Sequence, residues 1–299
     1  MAKIVECIPN FSEGRDQAVV EALVATAKSI PGVTLLDYSS DVNHNRSVFT
    51  LVGDPVGIAE AAFQLCKVAS ERIDLTKHTG EHPRMGATDV IPFVPIKDIS
   101  VDECVEISKA VAKRVNEELG IPIFLYEYSA AWPERENLAK IRKGQFEGMP
   151  EKLKEPDWAP DFGERAIHPT AGVTAVGARP PLVAFNINLD TDNLEIANAI
   201  AKTIRGSSGG YKYCKGIGIM LEDRNIAQVS MNMVNFEGTP LYRVFEAVRF
   251  EAKRWGVNII GSELIGLAPA KALIDCAEYY LQIEDFDYGK QVLENHLLD

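Results

Sequence analysis

The order strand, helix, strand, strand, helix, strand is legible twice along this chain. In the first copy, IVECI reads as a strand, followed by a helix near residues 16–29 with Val19, Val20, Leu23, Ala27 and Ile30 on one side. VTLLDY and RSVFTLV read as two strands. In the second of these, Arg46, Val48, Thr50 and Val52 share one face and Ser47, Phe49 and Leu51 the other. A helix near residues 55–71 and the strand DVIPFVPI complete the copy. An added helix opens with the capping-box pair Ser100 and Glu103, stops at Gly120 and precedes the strand IPIFLYEY.

The second copy begins with PLVAFNINL. A helix over residues 191–204 carries Ile196, Ile200 and Ile204, and KGIGIMLE and IAQVSMNMV read as a hairpin. In IAQVSMNMV, Ala227, Val229, Met231 and Met233 alternate with Gln228, Ser230 and Asn232. Thr239 and Pro240 read as the N-cap and first residue of a helix. Its stripe is Leu241, Val244, Phe245, Val248, Ala252 and Trp255. VNIIGSEL and a helix near residues 269–280 follow. The doubled order predicts an α+β chain of two ferredoxin-like (βαββαβ) subdomains with a ligand cleft or tunnel between their sheets. The first spans 1–180 and includes a long connection; the second spans 181–299. The connection, about residues 129–181, reads as irregular and functional, and Trp132 and Trp158 argue that it is ordered.

Composition narrows the function. The net charge of −12 gives no general attraction to nucleic acid or to an anionic membrane, so any anionic ligand must be held by local arginines and lysines. No apolar run reaches the roughly 18 residues of a membrane span. MAKIVECIPNF lacks the pattern of a signal peptide, which predicts a cytoplasmic protein. The five cysteines are scattered and form no CxxC pair, so reduced thiols are expected rather than a zinc site.

Candidate chemistry lies in loops and at strand ends. In TGEHPRMGA, Pro83 disfavours helix at His82, and Gly80 and Gly86 break regular structure. A histidine there suits general acid/base work, because imidazole titrates near neutrality; a loop histidine that only bonds backbone is the alternative. His78 and His82 are spaced like a metal pair, but the glycine and proline break the helix such a pair needs, so no metal is expected. His44 and Arg46 lie near Asp37 and Asp41, where a plain turn explains the pattern nearly as well. Arg84, Arg179 and Arg205 offer planar forks for carboxylates or serve as ordinary surface charge. RGSSGGYK, from Arg205 through Gly209 to Lys212, lacks P-loop spacing and reads either as a mobile loop over a ligand or as a flexible connection. Asn10, Asn186 and Asn188 sit on the first strands of the two copies, where they suit a pterin-like ring or simply end a strand.

Taken together, VECIPNFSEG, HNRSVFTLVG, TGEHPRMGATDVIPF, EELGIPIFLY, EKLKEPDWAPDFG, AGARPPLVAFNINL, AQVSMNMVNFE and GSELIGLAPAKAL resemble the glutamate formiminotransferase family, in order and over nearly the whole chain. The resemblance implies transfer of a formimino group from N-formimino-L-glutamate to tetrahydrofolate, the co-substrate, in histidine breakdown. It implies a folate site between two ferredoxin-like subdomains, a homodimer, and a separate cyclodeaminase acting next, since too little chain remains for the fused one of animals. His82 matches the family's catalytic histidine. The folate-contacting segment corresponds to Gly163, Glu164, Ile167, His168, Pro169, Thr170 and Gly172, and more loosely to the loop Arg205–Lys212. Animal members carry a second acid two positions after the aspartate of LLD. Here that position is Ser39, so Asp41 must take the part or the mechanism differs in detail. Formyl transfer between 5-formyltetrahydrofolate and glutamate, or a non-catalytic folate or amino-acid sensor, are the other functions such a chain could have.

Overall fold

The computed structural model describes residues 3–296. The chain divides into two compact units, Met1–Arg179 and Pro180–Asp299. Each is a mixed α/β unit built on its own sheet.

In the first unit, β1 (Ile4–Cys7) and β2 (Asn10–Phe11) are two pieces of one line, broken at Ile8 and Pro9. The break is bridged by Ile8 N–H donating to Pro92 O and Phe49 N–H to Pro9 O. After α1 (Gln17–Ser29), β3 (Val33–Asp41) and β4 (Arg46–Gly53) form a hairpin, and α2 (Pro55–Arg72) leads to β5 (Thr88–Lys97). The strands lie side by side as β3, β4, β1 with β2, and β5, all antiparallel. Asp16 and Asp54 cap α1 and α2, and Ser100 and Glu103 form the capping box of α3 (Val101–Leu119), which ends at left-handed Gly120.

Beyond β5 the sheet is extended by β6 (Ile123–Glu127) and β7 (Thr174–Ala178). β7 lies between β5 and β6, parallel to both. This corrects the reading of residues 129–181 as irregular. The connection holds α4 (Leu138–Arg142), α5 (Gln145–Lys152) and this strand. TAVGA is short and rich in small residues, so it shows no period-two alternation.

Alternation decides the two faces. Ile91, Phe93, Ile123, Leu125 and Val176 face α1, α2 and α3 with Phe11, Phe49 and Leu51. Their neighbours Val90, Phe124, Tyr126 and Ala175 face Ile141, Met149 and Leu153 of the connection. Phe11 and Phe49 meet edge to face at 5.3 Å beneath the strand pair that carries Asn10 and Arg46. Burying one such ring contributes roughly 1.5–3 kcal/mol.

The second unit runs β8 (Val183–Leu189), α6 (Leu194–Ile204), β9 (Cys214–Leu221), β10 (Ile226–Met233), α7 (Leu241–Arg254), β11 (Ile259–Ile265) and α8 (Ala270–Leu281). Its strands lie in the order β11, β8, β10, β9, all antiparallel. Ala227, Val229, Met231 and Met233 enter the core with Ile187, Ile200 and Val244. Two expectations fail here. Pro240 is itself the extended N-cap of α7: its ψ is 150° and its carbonyl accepts the Arg243 and Val244 N–H groups. Trp255 is 51% exposed, since the helix has ended before it and it leaves the stripe. Among the described residues no helix is long and apolar enough to cross a membrane.

Candidate functional site

Three segments of the first unit converge where β2 ends. Ser12 donates its N–H to Ala87 O and its hydroxyl to Gly86 O, pinning the segment after β2 to the loop TGEHPRMGA. The turn between β3 and β4 packs against the same loop. A side chain at Gly80 would meet His44 O at 2.4 Å, and one at Gly14 would meet Asp41 O at 2.4 Å. These glycines serve close backbone approach. Asn45, in the left-handed region at φ 49°, accepts from Gly14 N–H at 2.9 Å and donates to Thr79 O at 3.0 Å. Glu81 N–H donates to Asn43 O, and Arg15 Nε to Val42 O.

This packing brings together Asn10, Asp41, His44, Arg46 and His82. Asp41 Oδ2 and His44 Nδ1 are 2.9 Å apart, and Asp41 Oδ1 accepts the His44 N–H. These bonds to His44 hold the Asp41 carboxyl below its ordinary range. The His44 ring stands nearly perpendicular to that of His82, with centroids 6.3 Å apart. Asp41 thus meets His44, and His44 stands next to His82. A concave surface of about 260 Å³ is lined by Ser39, Ser40, Asp41, His44, Arg46 and Val48. Arg46 donates to the Asn10 side-chain carbonyl, while Asn10 Nδ2 donates to Ile8 O.

The field around His82 is cationic. Burial, then the charges of Arg46 and Arg142, push its imidazole down to about 3. Arg46 is itself pushed down to about 10 by burial and by Arg142. Arg142, on α4, pairs with the buried Asp89 carboxylate, which also accepts the Met85 N–H. The Nε atoms of Arg46 and Arg142 are buried and meet no protein acceptor.

Stability follows from this field. The unfolded chain takes up a proton at His82 near 6.5, while the folded chain holds it off until about 3. Below the unfolded value the unfolded state binds more protons, so stability is complete above that value and is lost as pH falls through the window. His78 and His168, both lowered chiefly by burial, act in the same direction. Melting temperature should therefore drop less in His82→Ala than in wild type between about pH 7 and about pH 5. Equal drops by differential scanning fluorimetry would contradict this.

Other expected residues frame the cluster. All five N–H donors of Arg84 are used within the protein, by His78, Gln145 and Glu147, which leaves none for a ligand. The end of the Gly163–Gly172 segment runs against the His82 loop. Ala87 N–H donates to Ala171 O, Val173 N–H to Met85 O, and Leu75 N–H to Thr170 O. Gly172, at φ 68°, would place a side chain 2.2 Å from Met85 O. His168 Nδ1 accepts from Ala171 N–H at 3.0 Å, Ile167 packs on the connection's core, and Gly163, Glu164 and Pro169 are exposed. Arg179 lies at the end of β7, near Glu6 and Tyr126.

The second unit holds its own polar cluster. Asn188 Nδ2 donates to Glu263 Oε1 at 2.8 Å, and Gln228 Nε2 donates to Asn188 Oδ1 at 2.7 Å and Glu263 Oε2 at 3.1 Å. Asn186 lies opposite Ser230 and Glu263 in the sheet. The loop from Arg205 is compact. Arg205 bonds Ser208 and Gly216 O, Gly209 adopts φ 92°, and Lys212 lies over the Tyr213 ring at 5.0 Å. Arg142, Asp89, Gln228 and Glu263 were not singled out from sequence. Only Gln228 left a signal, through its alternation with Ser230 and Asn232 on the polar face of β10.

Comparison with known proteins agrees along the whole chain. The formiminotransferase domain, N-terminal subdomain, matches residues 4–179, and the formiminotransferase domain matches 184–295. A glutamate formimidoyltransferase of Streptococcus pyogenes serotype M1 is 80% identical over 100% of both chains. One of Thermoplasma acidophilum is 47% identical over 98% of this chain and 97% of its own. A formimidoyltransferase-cyclodeaminase of Gallus gallus is 46% identical over 95% of this chain and 53% of its own.

Proposed function

The chain belongs to the formiminotransferase family, and from that footing we propose that it is a transferase moving the formimino group of N-formimino-L-glutamate onto tetrahydrofolate, its co-substrate. The carrying observation is the end-to-end match, at 80% identity, to a glutamate formimidoyltransferase. The products are 5-formiminotetrahydrofolate and L-glutamate.

In this reading folate N5 attacks the amidine carbon, and the bond from that carbon to the glutamate nitrogen breaks. One proton leaves N5 and one reaches the departing nitrogen. His82 carries it, accepting first and donating second. Burial and the cationic field keep the imidazole neutral in the resting protein, where it is unprotonated but a weak base. A ligand carboxylate entering beside Arg46 and Arg142 offsets their charge and makes His82 more basic when substrate is bound. The Arg46 side chain, which lines the concave surface, is the donor assigned to that carboxylate. Holding two substrates in register supplies further rate.

The same proposal takes both units as ferredoxin-like, supported by their element order and shared strand order. Folate binding draws on Gly163–Gly172 in the first unit. A cytoplasmic homodimer whose product passes to a separate cyclodeaminase completes it. The test is a paired assay of formiminoglutamate with tetrahydrofolate against 5-formyltetrahydrofolate with glutamate. Faster turnover of the first pair supports the reading; faster turnover of the second assigns formyl transfer. Tight folate binding with neither turnover would make the protein a sensor.

A further inference from the structure

His78 lies outside the chemistry just described, yet it joins the parts that carry it. Its Nε2 is 2.9 Å from Asn45 O, and its Nδ1 is 3.1 Å from Arg84 Nε. Arginine only donates and a carbonyl only accepts, so the proton must sit on Nε2 and the lone pair on Nδ1. Neutral His78 satisfies both partners in one tautomer. Arg84, 7% exposed, is in turn fixed by a two-point pair with Glu147, with contacts of 2.8 and 2.6 Å, and by Gln145. The chain of bonds runs from α5 through Arg84 and His78 to Asn45. Asn45 stands between His44 and Arg46, and His82 lies between His78 and Arg84. One imidazole therefore joins both sides of the reacting cluster, beside the Asn45–Thr79 and Glu81–Asn43 bonds.

We propose that His78 is a positioning residue that, in its neutral form, clamps the His44–Arg46 turn to the His82 loop, and that its protonation opens the clamp. An imidazolium would turn an Nδ1–H against the Arg84 Nε–H, so donor would face donor. The charged groups around His78 come from three segments. Arg84 lies on its own loop, Glu13 and Arg15 on the segment after β2, and Glu147 on α5 behind Arg84. Burial, Arg84 and Arg15 disfavour the charged ring; the Asn45 carbonyl and Glu13 favour it. In the resting protein His82 stays neutral down to about 3, so the acid limb of kcat/KM, which reports the free enzyme, is assigned to His78.

The inference rests on the transferase reading, so wild-type formimino transfer is measured first. His78→Phe keeps a ring but removes both bonds. It should lower kcat by up to about 10²-fold, the effect of an ångström-scale misplacement, with tetrahydrofolate affinity little changed. His78→Asn keeps an acceptor for Arg84 without a titrating proton. It should retain more activity than His78→Phe and lose the acid limb of the kcat/KM profile. Unchanged kcat in His78→Phe, or an unchanged acid limb in an active His78→Asn, would overturn the proposal. If His78→Phe fails to fold, His78→Asn decides. If wild type shows no transfer, the transferase reading fails by itself, and histidine-ring NMR still tests the clamp. The His44 and His82 resonances should shift as His78 titrates, and their independence of it would overturn the clamp.

Discussion

His82→Ala should lower kcat by roughly 10²–10⁴-fold, the usual worth of a positioned proton carrier, while tetrahydrofolate binding is retained. The size follows from the isolation of the imidazole. It is half-buried, stands beside His44, and lies in the field of Arg46 and Arg142. His44 is tied to Asp41, so it is not free to move into the vacated place without breaking a 2.9 Å contact. Steady-state kinetics with an independent folate titration checks this. Loss of kcat and of folate affinity together would indicate a collapsed loop, and full activity would remove His82 from the chemistry.

Arg135→Ala should cost about 3–5 kcal/mol of stability, the range for breaking one partner of a buried ion pair. Arg135 is 3% exposed, and its Nη1 is 3.0 Å from Asp161 Oδ2. Its Nη2 donates to the carbonyls of Asp157 and Ala159 at 2.8 and 2.6 Å. Removing the guanidinium leaves a buried carboxylate without its counter-charge and two carbonyls without their donor. That carboxylate also accepts the Leu125 N–H, so the damage reaches β6. For a domain of this size the melting temperature should fall by roughly 6–20 °C. Asp161 lies just before Gly163–Gly172, so on the proposal that this segment binds folate the KM for folate should rise as well. A double change of Arg135→Met and Asp161→Leu should recover only part of the loss: both charges leave together, but the Leu125 N–H and the Asp157 and Ala159 carbonyls lose their partners. A single variant within about 1 kcal/mol of wild type would show that the pair does not hold the connection.

Much of the framework is legible in sequence because one residue type decides it locally. Period-two alternation sorted β4 correctly, with Ser47, Phe49 and Leu51 turned to the core. Ser100 and Glu103 announced the start of α3, and Gly120 its end. The His82 loop stood out through its proline and glycines. What those glycines do was not legible. Gly86 lies where a side chain would meet Val173 O at 2.1 Å, a contact made across the sheet. Partners distant along the chain stayed hidden for the same reason. Arg142 meets Asp89, and Gln228 meets Glu263, only after separate strands and helices come together. Arg84 looked like a ligand arginine from its motif. Its saturation by Gln145 and Glu147 depends on α5, which the sequence pattern left within an irregular connection.

The most direct test of the account is one single-turnover time course with wild type, formiminoglutamate and tetrahydrofolate. Glutamate release and 5-formiminotetrahydrofolate formation are followed together. They should rise at the same rate and in equal amounts, and omitting tetrahydrofolate should abolish both. Glutamate released without folate would make the reaction a hydrolysis and contradict transfer to N5.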